Sequence, residues 1–323
     1  MQEKEDGQIP SVYIEADSVP SAYYRLLSAV HKNGYPLRTQ YDRKNPDGTY
    51  LDPPGRDAKA YVRINNPFAQ PRFPPISYCE IGKYIAEILG AKDHLVVPFD
   101  ELKKIIKENK ELSAMKWPYC YHQRLAAYPC SDGTTINQLD SIIEKLGKDP
   151  ISRRAVAITS VPEIDLPLKE DAPCLRELRL RLIKDKHGRL VLNSHTTWRS
   201  RDLYKAWGDN VIGLTNLVQI EIVPALEKKL EEKIIMGPYT EDVSSLHIYG
   251  QDYTQKHADK LFKTFPTEES FLGRSMTSEY ARDALVVPQL EELRKEDTWK
   301  FTPESLKIID NLIAGYNSGT FLP

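Results

Sequence analysis

The sequence predicts a mixed α/β (α+β) fold, with helices packed on a sheet around one sizeable core. Runs that alternate apolar and polar residues stand beside runs whose apolar residues recur every three or four positions. The dipeptide His187-Gly188 separates two strand-like runs and so predicts an antiparallel hairpin. A chain of 323 residues also buries enough apolar surface for one large domain or two modest ones without covalent staples.

Residues 1–20, opening on the polar run "MQEKEDGQIP", are expected to be a mobile N-terminus, and 21–254 to form the main domain. "VPSAYYRLLSAVHKNG" reads as a helix stopped at Gly34. A Pro/Gly/Asp-rich loop then leads into a short strand, "YVRINNP". "ISYCEIGKYIAEILG" reads as a helix, and "FDELKKIIKENKEL" as a lysine-rich amphipathic helix with a solvated face. In "INQLDSIIEKLGKDP" the residues Leu139, Ile142, Ile143 and Leu146 form one apolar helical stripe. Beyond Cys174, Leu178, Leu180 and Leu182 alternate with Arg179 and Arg181 as in a half-buried strand, and "RLVLNSHTTWRS" returns as its partner. Cys174 and Arg199 then fall at neighbouring ends of the hairpin. A further helix, "LYKAWGDNVIGLTNLVQIEI", directs Tyr204, Trp207, Val211, Leu214 and Val218 into the core. "SSLHIYGQDY" is a strand with Leu246 and Ile248 inward and His247 and Tyr249 on the opposite face. Residues 255–323 are expected to be a helical extension packed on the main domain, with a helix announced by Thr302 and Pro303.

A net charge of −2 gives no global basic field, which argues against nucleic acid as the main partner and leaves each arginine cluster to be explained locally. The four cysteines, Cys79, Cys120, Cys130 and Cys174, have neither CxxC nor zinc-ligand spacing, so no metal site is expected. Free thiols, together with the lack of a leader and of a long apolar run, imply a cytoplasmic protein that does not enter membranes.

Chemistry-bearing residues concentrate between Ser152 and Asn210. The paired arginines Arg153 and Arg154 precede Cys174 in "EDAPCLRELRLRL", and Arg199-Ser200-Arg201-Asp202 follows it, with Asn210 eight residues after Asp202. A soft nucleophile is thus flanked by enough fixed positive charge to hold a phosphate. The double arginine, the Pro-Cys, the Arg-Ser-x-Asp cluster, the Asn and the His-x-Tyr of "SLHIYGQDY" occur in the order that resembles the thymidylate synthase and pyrimidine nucleotide hydroxymethylase superfamily. The resemblance covers residues 118–253 well, 20–117 loosely, and the last seventy or so hardly at all.

That resemblance implies a thymidylate synthase-like mixed sheet, a homodimer formed through a sheet face, a pyrimidine nucleoside monophosphate as substrate, and 5,10-methylenetetrahydrofolate or a related reduced pterin as cofactor. It implies Cys174 as nucleophile. Arg199, Ser200 and Asp202 would belong to the phosphate cluster, Asp202 also matching a pterin-contacting aspartate. Arg153 and Arg154 would reach the partner subunit's phosphate. Arg56, or alternatively Arg38, would be the early-loop arginine on the phosphate, and His247 and Tyr249 would suit the sugar hydroxyls. Glu87, or alternatively Glu80, would organise water and protonation at the ring, and Tyr121 would stand near the reacting carbon. This chain departs from the family pattern at three places. The His and Trp of a His-Glu-Leu-Leu-Trp pattern are missing around Glu87, His122 stands where a Gly follows the tyrosine, and Lys205–Asn210 replaces Leu-Gly-Val-Pro-Phe-Asn.

Carbon 5 of a pyrimidine becomes nucleophilic only when a group adds to carbon 6, and a cysteine thiolate both adds and leaves well. Asn210 can both donate to an O4 and accept from an N3–H, and the resemblance implies a uracil nucleotide, because members acting on uracil carry Asn at this point and those acting on deoxycytidylate often carry Asp. The expected reaction is therefore dUMP to dTMP, with a hydroxymethylase acting on dUMP, dCMP or CMP as the alternative. A non-catalytic nucleotide- or RNA-binding relative is the reading from another class.

Overall fold

A computed structural model of the chain describes residues 7–76, 79–168 and 172–322. Its strands are β1 (Ser11–Ala16), β2 (Tyr35–Leu37), β3 (Gly55–Ile64), β4 (Tyr128–Pro129), β5 (Thr135–Ile136), β6 (Val156–Ile158), β7 (Leu175–Lys184), β8 (Leu190–Trp198), β9 (Arg201–Asp202) and β10 (Ile234–Ile248). Helices in the first half are α1 (Val19–Asn33), α2 (Ile81–Ile88), α3 (Phe99–Lys107), α4 (Tyr121–Ala126), α5 (Gln138–Lys148) and α6 (Pro162–Asp165). Those in the second half are α7 (Trp207–Leu217), α8 (Val223–Leu230), α9 (Gly250–Thr254), α10 (His257–Thr264), α11 (Glu268–Leu272), α12 (Ser278–Ala281), α13 (Val287–Lys295) and α14 (Pro303–Asn317). The fold is mixed α/β, as expected. The chain divides into two compact units, one of residues 1–78, 197–211 and 238–277, the other of 79–196, 212–237 and 278–323.

In the first unit β3 is the central strand. β1 lies parallel to it, from Ser11 opposite Lys59 to Ala16 opposite Ile64. β10 lies antiparallel on its other side, and the short β9 runs parallel to β10. Ser11–Ala16, inside the stretch expected to be a mobile terminus, is thus a paired strand. β3 also starts at Gly55, earlier than the run "YVRINNP" suggested, because small alternating residues carry the pattern: Ala58, Ala60, Val62 and Ile64 are all fully buried. Arg56 therefore lies on a strand, not on a loop before one. The helix α1 buries Val19, Leu26, Leu27 and Val30 and is capped by the Ser18 hydroxyl. Gly34 stops it at φ −60°. The reason for glycine is space: an added Cβ would sit 2.5 Å from the Val30 carbonyl oxygen and 3.0 Å from Arg56 Cβ.

The second unit carries the strand order β10-β8-β7-β6, with the start of β10 at its edge. Leu178, Leu180 and Leu182 are buried along β7, while Arg179 and Arg181 are exposed. The turn at Gly188, with φ +80°, links β7 to β8 where the dipeptide predicted it. Leu139, Ile142 and Leu146 form the buried stripe of α5. Residues beyond 255 are mainly helical and divide between the units: α10 and α11 belong to the first, α12 to α14 to the second. In the first unit Glu268 of α11 takes hydrogen bonds from Ser21 and Arg25 of α1. In the second, α13 packs on α2 and α14.

Candidate functional site

The β3-β10-β9 ladder of the first unit assembles half of the predicted residues. Its register sets His247 opposite Asp57 and Ile248 opposite Arg56 on one side, and His247 opposite Asp202 on the other. The Leu203 amide donates to the His247 carbonyl at 2.8 Å, which ties the Arg199–Asp202 cluster to the His-x-Tyr. Between Val243 and Leu246 the register shifts by a bulge, and it is after this bulge that His247 comes opposite Asp57. Thr39, Asp42, Arg56, Asp57, His247 and Tyr249 line a cleft here. Tyr249, expected on the strand, instead precedes α9, its ring packed edge-on to His247 at 4.5 Å.

His247 is enclosed rather than outward-facing. Burial pushes its pKa down to about 4, and the Arg199 guanidinium adds to this against a hydrogen bond that the ring donates to the Ser245 carbonyl. The ring is neutral at pH 7. The Ser245 hydroxyl donates to Asp57 Oδ2 at 2.5 Å and stands 3.3 Å from His247 Nδ1, so its oxygen can accept the Nδ1 proton. His247 Nε2, buried and without a hydrogen-bond partner, is then left as an acceptor for a hydroxyl. Burial raises the Asp202 carboxyl to about 6, opposed by the Lys205 amide and assisted by the buried Asp252. Lys205 Nζ lies 3.0 Å from Asp252 Oδ1.

In the second unit Cys174 is half-buried at the entrance to β7. The next residue, Leu175, donates its amide to the Tyr121 hydroxyl at 3.4 Å, so the tyrosine expected near the reaction does stand beside the thiol's segment. Its carbonyl accepts from Thr159. Arg176 binds the Pro173 carbonyl at 3.3 Å and Ser160 Oγ at 2.7 Å, bracing the turn that presents Cys174. Glu87 sits on α2 of the same unit. Burial raises its pKa, Lys92 at 3.1 Å opposes this, and the Asp93 charge adds to it. Glu80, the alternative, precedes α2 and pairs with Lys83 on the surface.

Other predicted residues stand as follows. Arg153 and Arg154 are exposed in the loop between α5 and β6, and Arg199 is exposed after β8. Arg56 donates to the Gly34 carbonyl at 3.2 Å, while Arg38 is held by Asp42 and the Asp52 carbonyl. Asn210 lies buried in the first turn of α7. Ser200 bridges β8 and β9 and is half-buried. Tyr204, expected in the core, is only half-buried and stacks on His257. Trp207 is core, its indole N–H on Glu241 at 2.5 Å. Sequence reasoning missed Asp57, Ser245, Arg176, Lys92 and Asp93. A polar residue two positions from a recognised one on the same strand, as Ser245 is from His247, was the available signal for the second of these.

No family model matches the chain. Among curated proteins it is 28% identical over 259 residues to one from Methanocaldococcus jannaschii, covering 77% of this chain and 97% of that protein. It is 33% identical over 135 residues to one from Methanosarcina barkeri, 42% of this chain and 54% of the relative. With one from Methanococcoides burtonii it shares 30% over 153 residues, 47% of this chain and 61% of the relative. The last two matches thus span little more than half of those proteins. All three bear the name "Putative thymidylate synthase". No described helix is long and apolar enough to cross a membrane. These similarities, joined to the mixed sheet and the ordered motifs, support a thymidylate synthase-like family.

Proposed function

We propose that the protein transfers a one-carbon unit to carbon 5 of a pyrimidine nucleoside monophosphate, converting dUMP to dTMP, through addition of the Cys174 thiolate to carbon 6. The observation that carries this reading is the half-buried Cys174 at the mouth of β7, with its neighbouring amide on the Tyr121 hydroxyl. Addition of sulfur to carbon 6 moves an electron pair toward O4, where the Asn210 amide meets the developing charge, and makes carbon 5 the nucleophile. After carbon 5 has bonded to the one-carbon unit, its proton passes to Tyr121 or to water ordered by Glu87. The sulfur–carbon bond then breaks and the ring double bond returns. His247 Nε2 accepts from a sugar hydroxyl, and Arg56 and Arg199 hold the phosphate with Arg153 and Arg154 of a second copy, in a homodimer formed through a sheet face.

A reduced folate or related pterin, when bound, would supply the one-carbon unit and, for methyl transfer, the hydride. Asp202 fits such a group, since a carboxyl lifted to about 6 can take or give a hydrogen bond to a pterin edge. The run Lys205–Asn210 fits it less well. Trp207, Gly208 and Asp209 are buried in their own unit, Gly208 packed on Tyr23 and Pro74. That observation favours a second reading, hydroxymethyl transfer to dUMP, dCMP or CMP, in which water replaces hydride.

Incubation with methylene-tetrahydrofolate and each nucleotide, followed by mass spectrometry, separates the two: the product gains CH2 for methyl and CH2O for hydroxymethyl. Tritium release from 5-tritiated dUMP should vanish in Cys174→Ser. Unchanged biological activity in that variant would favour a non-catalytic nucleotide- or RNA-binding protein instead.

A further inference from the structure

Lys92 follows α2 and is nearly buried, at 8% exposure. Its ammonium lies 3.1 Å from Glu87 Oε2, and 5.3 Å and 4.8 Å from the ring centroids of Trp117 and Trp299. Both indoles are within the range at which an aromatic face attracts a cation. They meet each other edge to face at 5.8 Å.

Each ring is anchored independently of the lysine. Trp117 donates its amide to the Leu95 carbonyl and accepts from the Val97 amide, both at 3.0 Å. Trp299 is fixed through its carbonyl, which lies 2.9 Å from His94 Nε2. A carbonyl only accepts, so Nε2 carries a proton, and Nδ1 lies 3.1 Å from the Ser305 hydroxyl. Phe301 packs edge-on to the His94 ring. Residues 299–305, in the part of the chain that the family resemblance does not reach, are thus docked on the turn that follows Lys92.

We propose that Lys92 and Trp299 are positioning residues for Glu87: the two indoles hold the ammonium, the ammonium holds the carboxylate in place and charged, and the C-terminal stretch thereby completes the site. This rests on the reading of Glu87 as the group that handles protons at the pyrimidine. A lysine is a flexible point charge, and rings on two sides remove that freedom while excluding water that would weaken the ion pair. The other charges facing the site are accounted for. Asp93 accepts from the Cys120 thiol at 2.8 Å and from His122, which also faces Glu221, while Glu292 of α13 and Glu296 just after it face Lys83. Lys92 is therefore the cation that meets Glu87, against burial and the Asp93 charge.

The test is the titration of Glu87, followed by carbon-13 NMR on the full chain in the parent, Lys92→Met, Trp299→Leu and Trp299→Phe. The midpoint should rise by about one pH unit or more in Lys92→Met, rise less in Trp299→Leu, and return in Trp299→Phe, which restores an aromatic face. The acid limb of kcat for tritium release should move with it, with little change in the KM for dUMP. A midpoint unmoved in Lys92→Met, or Trp299→Phe as far from the parent as Trp299→Leu, overturns the proposal. Should Lys92→Met fail to fold, the two Trp299 variants decide. Failure to release tritium from any nucleotide would sink the proposed reaction, whereas the NMR titration would still decide the clamp.

Discussion

His122 should tie the stability of the protein to pH in a defined window. Its Nδ1 lies 2.6 Å from Asp93 Oδ2 and its Nε2 3.5 Å from Glu221 Oε1, with the side chain 13% exposed. Burial alone would lower its pKa, but the two carboxylates outweigh burial and raise it to about 10. An unfolded histidine titrates near 6.5. Below that pH both states hold the proton, and the stabilisation is complete. Between about 6.5 and 10 the folded state keeps a proton that the unfolded state has lost, so stability falls by ~1.4 kcal/mol per pH unit, on the order of 3 to 5 kcal/mol across the window. Above 10 the contribution is gone. His122→Gln removes the charge and serves as the reference, because other groups titrate alike in both proteins. Urea unfolding of parent and variant at half-unit steps from pH 6 to 9 should show their stability gap closing as pH rises. A gap that stays constant from pH 7 to 9 would refute the doubly paired imidazolium.

Three further substitutions test packing and buried charge. Gly34→Ala should cost about 1–3 kcal/mol in urea unfolding, because its Cβ meets the Val30 carbonyl oxygen at 2.5 Å; a neutral result would mean that the end of α1 can shift. Leu180→Ala, at a fully buried position of β7, should cost about 2–5 kcal/mol with an unchanged m-value. Glu241→Gln should cost about 3–5 kcal/mol, since Glu241 is fully buried and takes hydrogen bonds from Arg201, Trp207 and Tyr239. An Arg201→Met, Glu241→Gln double variant should recover part of that loss, and its failure to do so would locate the cost in the indole and phenol bonds.

What could be read in advance followed regular periods. The Leu178, Leu180 and Leu182 alternation, the Gly188 turn and the stripe of α5 announce themselves because one face of each element meets hydrocarbon and the other water. β1 and the start of β3 did not, since the outward positions of Ser11–Ala16 are the polar Ser11, Tyr13 and Glu15 and Ala58 and Ala60 bury too little surface to register as strand. The motif residues of the first unit were legible as a list, but their arrangement was not. It took the pairing of β10 with β3 on one side and β9 on the other to bring Asp57 and Asp202 to the two flanks of His247. Register between distant segments is set by the whole sheet, and no local window contains it.

The buried charges of the second unit were illegible for a different reason, and they gather around one departure from the family pattern. Where the family has a glycine after the tyrosine, this chain has His122, and an imidazole there needs room. Gly90 provides it: at φ +93°, a Cβ on that residue would lie 2.7 Å from the His122 ring. The same turn carries Lys92 and Asp93, so the segment that makes space for His122 also supplies its carboxylate and the cation for Glu87. Trp117 and Trp299 reach Lys92 from outside the helix of Glu87. His122, Asp93, Lys92 and Trp299 therefore meet around one stretch, residues 89–95, that follows α2. A His122→Gly substitution should leave Asp93 without its imidazolium partner.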